Sequence, residues 1–540
     1  MKKGPNSTLQ QKIKIDSDTV NKTLNKIKTI IFYVLIFIST NSIIIKTQTY
    51  EGYTLYSPNN SRYTYLIDIN KTVVHSWSHT KTGGYSCYLL EDGSLMRSAT
   101  SSNSQLNGGG ATGIIQKVAW DGSLLWEYTY SSSTYRAHHD FEPMPNGNVL
   151  IIAWEVKTAA QAVLAGLKRS ITIWPDHIIE VQPAGTTGGT IVWQWHAWDH
   201  LIQNYDATKN NYGVISEHPE LLNINVGSTS SGDWMHVNGI SYNAELDQIV
   251  FSSHNLDEVY VIDHSTTTAE AASHSGGTYG KGGDFLYRWG CPSNYGVSGS
   301  QVFSVVHCAT WIPAGYPGAG NIMAFNNREN QSTSMVVEIV PPRDGSGNYT
   351  YTSGTAFGPV SPLWSYTASG FYSQHLGGCQ RLPNGNTFIV EATTGVFWEV
   401  NSAGTVVWNY TKGGEIARAL RYSASYPGLS VISDTQETET ITPASFSISQ
   451  NYPNPFNPNT TIDFVLPAES FVNISVYNSL GQLISTLINN QLMAGTKSII
   501  FDAALISGGL SSGVYFYRIN AKSLTDGKEF SQTKKMILLQ

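Results

Sequence analysis

The chain has 540 residues, of which 49 are Gly, 30 Tyr, 14 Trp and only 13% charged. A composition rich in aromatics and glycine but poor in charge points to short strands joined by turns rather than to a helical bundle or a disordered chain. The net charge of −7 leaves no basic footprint, which argues against a nucleic-acid partner.

Residues 1–48 read as an export signal with a long n-region. Lys26-Ile27-Lys28 precedes an apolar run from Ile30 to Ile38, and Ser39 to Ser42 break it. The run has the length of a signal core and is short for a membrane span. No span is expected after signal removal, a retained anchor being the alternative.

Beyond it, one short ending recurs six times: an aliphatic pair or its equivalent, an aromatic, a polar residue and another aromatic. The copies are Val73–Trp77, Leu124–Tyr128, Ile191–Trp195, Phe285–Trp289, Pro362–Tyr366 and Val406–Tyr410. Alternating aromatics among β-branched residues fit strands, and repetition along the chain fits a propeller. The reading is all-β: a six-bladed β-propeller over 49–428. Asp92-Gly93, Asn146-Gly147 and Asn384-Gly385 lie between apolar runs and predict tight hairpins. Five whole blades are expected at 83–130, 137–198, 234–290, 305–368 and 372–412. Residues 51–79 then supply the outer half of a sixth, completed by the segment 416–427 from the other end of the chain.

Register on the turns aligns histidines. His139 lies six residues before Pro145, and His307 lies six before Pro313. His236 opens the intervening blade, Tyr85 holds the equivalent place in the first repeat, and His375 precedes Gly377 in the last. Inner strands line a propeller's channel, so these imidazoles are expected to converge. Imidazoles ligate metals and also perform nucleophilic and acid–base chemistry. No HExxH or CxxC spacing is present, so metal is the second choice. Cys87 and Cys379 occupy matching repeat positions, which fits two small buried side chains better than an inter-blade disulfide.

Residues 429–445 read as an acidic, Thr-rich linker. After it, about seven alternating strands over 446–540 suit an immunoglobulin-like sandwich. Tyr452–Pro458, Tyr477–Gly481, Gly513–Arg518 and the terminal Lys-Met-Ile-Leu-Leu resemble the type IX secretion C-terminal sorting domain. That resemblance implies export through the periplasm and across an outer membrane by the type IX machinery, to a secreted or cell-surface location.

The propeller resembles the arylsulfotransferase family. His138-His139-Asp140 with Pro145–Asn148, Asp233–Gly239, Ser252–Asn255, and His307 with Trp311–Pro313 carry the likeness. It implies transfer of a sulfuryl group from an aryl sulfate to a phenol, with no cofactor or nucleotide. His307 is implied as the nucleophile, with His139 and His236 holding sulfate oxygens and moving protons. Asn238, His254, His138, His375 and Arg418 are the expected substrate-binding residues. His254 stands where the family has Arg, and needs a proton to supply that charge. His307-Cys308-Ala309-Thr310 replaces a more usual His-Asp-Ala-His. A non-catalytic surface propeller that binds a glycan, a sulfated polymer or a protein is the competing reading.

Overall fold

The computed structural model describes residues 49–103, 105–227, 232–330, 332–430, 445–492, 495–506 and 509–539. The expected export signal and all but the ends of the linker lie outside them. No described helix is long and apolar enough to cross a membrane. The chain divides into two compact units, one ending at Ser430 and one beginning at Val431.

The first unit opens with β1 (Gly52–Tyr56), β2 (Ser61–Ile67), β3 (Val73–Leu89), β4 (Leu95–Thr100), β5 (Gly113–Val118) and β6 (Leu124–Thr129). Then come β7 (Tyr135–Pro143), β8 (Val149–Glu155), β9 (Asp176–Pro183), β10 (Gly189–His196), and a short parallel pair, β11 (Leu201–Ile202) and β12 (Leu222–Asn223). The next eight strands are β13 (Val237–Asn243), β14 (Gln248–Ser253), β15 (Glu258–Asp263), β16 (Tyr287–Trp289), β17 (Val306–Trp311), β18 (Ile322–Asn330), β19 (Thr333–Ile339) and β20 (Trp364–Tyr366). The last are β21 (Gly378–Arg381), β22 (Thr387–Glu391), β23 (Val396–Val400), β24 (Val406–Thr411) and β25 (Ala419–Ser423).

They form a curled, propeller-like series of antiparallel sheets. Strands β7–β10, β13–β16, β17–β20 and β21–β24 each make a four-stranded sheet, and β25-β1-β2-β3-β4-β5-β6 make one of seven. The long β3 serves both halves of the latter. It pairs with β2 through Val73–Ser78 and with β4 through Cys87–Leu89. The first strands of successive sheets pack side by side: β3 on β7, β7 on β13, β13 on β17, β17 on β21, β21 on β25, and β25 back on β3. The expected pairing of the two ends is present, with Gly52 to Tyr56 of β1 antiparallel to Ser423 to Ala419 of β25. The N-terminal segment gives that sheet three strands, not the two outer ones expected. Gly52–Tyr56 is short and carries no turn signal ahead of it, so its pairing was invisible in the sequence.

The hairpins form as predicted. At Asn146-Gly147, Gly147 takes φ +84°, and Met144 N–H donates to Asn148 O at 2.9 Å; a left-handed position there favours glycine. The recurring aromatic endings prove to be ties between sheets. Trp77 Nε1 donates to Ala119 O (3.1 Å), Trp126 to Gly188 O (2.7 Å) and Trp193 to Thr266 Oγ1 (3.1 Å). Trp289 donates to Pro359 O (2.7 Å), Trp364 to Ser402 O (3.0 Å) and Trp408 to Ile69 O (2.8 Å). Trp77 ties the two halves of the seven-stranded sheet, each other indole reaches the next sheet along, and Trp408 returns to the first. The core is correspondingly divided into clusters between neighbouring sheets, such as Ile178, Trp195, Ile249 and Phe251 between β7–β10 and β13–β16.

The second unit is an immunoglobulin-like sandwich region. It holds β26 (Ser447–Ile448), β27 (Asn459–Leu466), β28 (Ser470–Asn478), β29 (Leu483–Leu492), β30 (Gly495–Asp502), β31 (Gly513–Ser523) and β32 (Glu529–Leu538). Sheets β26-β27-β30 and β29-β28-β31-β32 enclose Ile462, Phe464, Ile474, Tyr517 and Met536. Strand β31 alternates buried and exposed residues from Tyr515 to Ser523, as a sheet with one solvated face requires.

Candidate active site

The inner strands do not run straight. Register shifts interrupt β7 between Ala137 and Phe141, β13 between Val237 and Gly239, and β17 between His307 and Thr310. Such bulges re-aim side chains. Four non-glycine residues here are left-handed: His139 (φ +50°), His236 (+56°), Cys308 (+55°) and Leu376 (+58°). Each costs about 1–3 kcal/mol, and such residues concentrate at functional sites. The shared register expected for His139 and His307 holds only roughly. The left-handed residue is His139 itself in β7, but Cys308, one residue past His307, in β17.

The bulges bring the imidazoles into an unbroken ladder. His138 and His139 meet Nδ1 to Nδ1 at 2.9 Å. Ring centroids of His139 and His236 are 4.5 Å apart, His236 and His254 4.9 Å, His254 and His307 5.6 Å. His139, Asn238, His307 and Arg418 line one small cavity of about 20 Å³, with Tyr85, Cys308 and Gly377. A larger cavity of about 320 Å³ shares Arg418 but includes none of the ladder histidines.

Each rung is held from behind. His307 Nδ1 lies 2.6 Å from Asn327 Oδ1. Asn327 Nδ2 donates to Ser373 O (2.9 Å) and Leu376 O (2.5 Å). With its N–H groups committed to carbonyls, Asn327 presents oxygen to His307, so Nδ1 carries the ring proton and Nε2 the lone pair. Leu376 N–H donates to that Nε2 at 3.3 Å. His236 Nδ1 is 2.5 Å from Asp233 Oδ2. His138 stacks on Trp154 (3.9 Å, 9°), with Nε2 2.8 Å from Asp176 Oδ1. Gly108, Gly109 and Gly110 lie over these groups. A side chain at Gly110 would strike the His139 ring, and one at Gly109 would stand 3.3 Å from His236 Cε1.

Burial governs the charges. It holds His138, His139 and His307 well below the usual imidazole range, reinforced by the facing imidazoles. Burial, with the His236 ring, lowers His254 to about 4, so at neutral pH His254 does not supply the positive charge expected of it. Burial also keeps the Asp176 carboxyl well above the carboxylate range.

Three other expected residues have partners outside the ladder. Arg418 Nη1 pairs with Asp140 Oδ2 and donates to Tyr88 OH at 2.9 Å. Asp140 also accepts from Ser86 Oγ at 2.6 Å, so Arg418 Nη1 ties inner strands. His375 stands apart from the ladder, about half exposed, with Nε2 2.9 Å from Glu415. Leu376 and Gly377 (φ +150°) turn the chain before β21 begins, so His375 is not on that strand's face. Asn238 bridges strands, donating to Val306 O (2.8 Å) and accepting from Ser252 Oγ (2.6 Å).

Sequence reasoning missed Asn327, Asp233, the Gly108–Gly110 loop and Arg328. Asn327 sits one residue past the Val306↔Asn326 pair, as His254 sits one past Val237↔Ser253; that repeat register was the available signal. Arg328 is exposed and close enough for its charge to depress His254. All four cysteines are free and buried. Cys379 faces Cys308, with its N–H 3.4 Å from Cys308 Sγ.

A propeller-like array with an imidazole ladder at its inner strands defines a candidate group-transfer enzyme. Residues 41–428 match the Arylsulfotransferase (ASST) family, and the chain belongs to it, which gives it a sulfotransferase-like transferase function. Residues 450–538 match the secretion system C-terminal sorting domain, so the protein is of the secreted or cell-surface class delivered by the type IX pathway. No curated protein matches the sequence. Solved structures similar to the chain include a protein of unknown function from Bacteroides caccae (12% identity, 69% of this chain and 98% of that one, TM-score 0.39). Others are the periplasmic gluconolactonase of Pseudomonas aeruginosa (10%, 83% and 99%, 0.34) and a catalytically inactive virginiamycin B lyase of Staphylococcus aureus (11%, 61% and 70%, 0.28).

Proposed function

We propose that residues 49–428 form a six-bladed propeller that moves a sulfuryl group from an aryl sulfate to a phenolic acceptor through a sulfohistidine on His307. The blade count follows from treating the seven-stranded sheet as two blades joined through β3, and the cyclic indole ties support it. Residues 429–445 are then a linker and 446–540 the sorting domain.

The observation that carries the mechanism is the Asn327–His307 bond, which makes Nε2 the lone-pair atom, to be released from Leu376 N–H as it turns nucleophile. Its lone pair attacks sulfur; the S–O bond to the aryl oxygen breaks and the phenolate leaves, taking a proton from whichever of His139 and His236 the bound sulfate ester has protonated. The phenolic acceptor then gives its proton to the same imidazole and attacks the sulfur, and the S–Nε2 bond breaks. Two displacements replace one hard one. His138 and the Asp176 carboxyl, whose protonated form burial favours, stand behind His139 as a proton store. Asn238 offers an amide N–H; His254 Nδ1 donates its proton to Asn255 Oδ1 at 2.7 Å, so its Nε2 donates to a sulfate oxygen only once the bound ester has protonated the ring. Arg328 at the rim supplies the positive charge that His254 lacks at neutral pH.

The test is incubation of the purified propeller with 4-nitrophenyl sulfate, with and without phenol. Nitrophenolate release that depends on phenol, and its loss in His307→Ala together with any acid-labile sulfo-adduct, supports the reading. Near-normal turnover by His307→Ala removes the mechanism, and no turnover on any aryl sulfate leaves a binding propeller.

A further inference from the structure

Away from the ladder, a 3-10 turn at Ala197–Asp199 follows β10 and ends in His200. His200 is fully buried and lies flat beside Trp195, ring centroids 5.6 Å apart and planes 4° from parallel. Its Nε2 is 2.9 Å from Ala271 O. A carbonyl only accepts, so Nε2 carries the proton. In the neutral ring Nδ1 is then the lone-pair atom, and it points at Asp284 Oδ1 from 2.7 Å. Two electron-pair atoms at that distance need a positive charge between them, supplied either by a proton or by a metal ion. His274 Nδ1 approaches the same oxygen to 2.8 Å. The ligand atoms of all three residues lie within 4.8 Å of one another.

The surroundings hold this arrangement in place. Gly283 N–H donates to Ser273 O at 3.0 Å, closing the loop that carries His274. A side chain at Gly283 would meet Ala271 O and the His200 ring, so the close approach depends on glycine. The fixed Nε2–H of His200 on a backbone carbonyl is the support that metal-ligating histidines usually have.

We propose that His200, His274 and Asp284 bind a divalent transition-metal ion of the zinc type. Two imidazoles and one carboxylate suit zinc, whereas calcium and magnesium favour all-oxygen sets. In a tetrahedral site with bonds of about 2.0–2.1 Å the ligand atoms stand roughly 3.3 Å apart, so each side chain opens by about half an ångström. The ion clips the turn after β10 to the loop entering β16 in the next sheet. Its role is structural, independent of the His307 chemistry.

The experiment uses the full secreted chain, stripped with a chelator and titrated with Zn²⁺, with Ca²⁺ and Mg²⁺ as controls. Binding of about one zinc per chain is expected, with a melting temperature several degrees higher in zinc than in either control. His274→Ala, at an exposed position, loses about tenfold or more in zinc affinity and the thermal shift; His254→Ala, in the ladder, keeps both. Asp284→Asn is the second variant, with folding checked by circular dichroism. Equal zinc binding by His274→Ala and the unmutated chain, or loss in His254→Ala, would place the ion in the ladder and overturn the proposal. No saturable zinc binding would reduce the cluster to hydrogen bonds, and equal stabilisation by calcium would rule out the imidazole ligands.

Discussion

Asn327→Ala is the sharpest perturbation of the proposed mechanism, because Asn327 touches no substrate in it and only fixes which His307 nitrogen is free. The change removes the oxygen 2.6 Å from Nδ1 and the amide donor of Ser373 O and Leu376 O. A buried group left without its partner costs about 1–3 kcal/mol. Applied to the His307 tautomer equilibrium, that cost favours moving the proton to Nε2, where it blocks the lone pair. At 1.36 kcal/mol per decade it lowers the reactive fraction roughly 5- to 150-fold. Ser373 O keeps Ser334 Oγ at 3.4 Å, but the stranded Leu376 carbonyl adds about 1–3 kcal/mol of lost stability, so folding is checked first by denaturant titration. Steady-state release of nitrophenolate then gives kcat falling by that factor with KM for the aryl sulfate nearly unchanged. ¹⁵N chemical shifts of His307 report the tautomer directly. A kcat within twofold of the unmutated enzyme, or an Nδ1–H tautomer that survives the substitution, would refute the reasoning.

His254→Arg places a permanent charge where burial holds imidazole to about 4. KM for aryl sulfate should fall roughly 10- to 100-fold, as expected of a charge-assisted bond worth about 1.5–3 kcal/mol, and rise again with added salt; an unchanged, salt-insensitive KM tells against the pocket. Acid stability follows from His138, His139, His177 and His307, all buried and lowered. Below the unfolded value of about 6.5 the unfolded chain binds protons that the folded one refuses, so stability is full above that pH and lost as pH falls, by up to about 1.4 kcal/mol per unit per histidine. Melting curves between pH 7.5 and 5 should fall steeply, and a flat profile contradicts the burial. Trp408→Phe removes the indole tie to Ile69 O that helps close the ring of sheets. A loss of about 1–3 kcal/mol is expected by urea unfolding, and an unchanged midpoint would deny the tie that role.

The fold was legible where a local signal had one structural meaning. Asn146-Gly147 predicts a left-handed turn, and the aromatic endings predict outer strands, because each depends on a few adjacent residues. The ladder was legible in its members His139, His236, His254 and His307, but not in its geometry. Register counted from a turn assumes one residue per rung, and the bulges in β7, β13 and β17 break that assumption. A shift of one residue turns a side chain to the other face, which is why Cys308, not His307, holds the left-handed position that His139 holds in β7. Arg418 was expected among the substrate-binding residues because sequence does not reveal that Asp140, 278 residues away, pairs with it. The His200 cluster escaped for a similar reason: its third member comes from the far end of a glycine-rich loop, with no ligand spacing to mark it.

The same commitments explain the character of the site. Arg418 and Arg421 are both buried on or beside the closing strand β25, but their charge goes to Asp140 and Glu399, where it holds blades together. Arg421 further donates to Thr54 Oγ1 at 2.7 Å and stacks on Trp408 at 4.3 Å, so moving it toward the channel would open the seam between the chain ends. The ladder is therefore left with His138, His139, His254 and His307, which burial holds toward the neutral form in the empty site. A sulfate ester arriving there brings the negative charge that burial alone makes imidazolium avoid, and it favours protonation of the rings it touches. In the proposed reaction, charge on the ladder itself is thus created with the substrate, beside the permanent charge of Arg328. His307, buried and fixed by its Asn327 bond, is the ring best placed to stay neutral while its neighbours gain protons. A division of that kind between one neutral nucleophile and several protonatable neighbours is what a two-step transfer requires, since the leaving oxygen must be given a proton and the attacking nitrogen must not hold one.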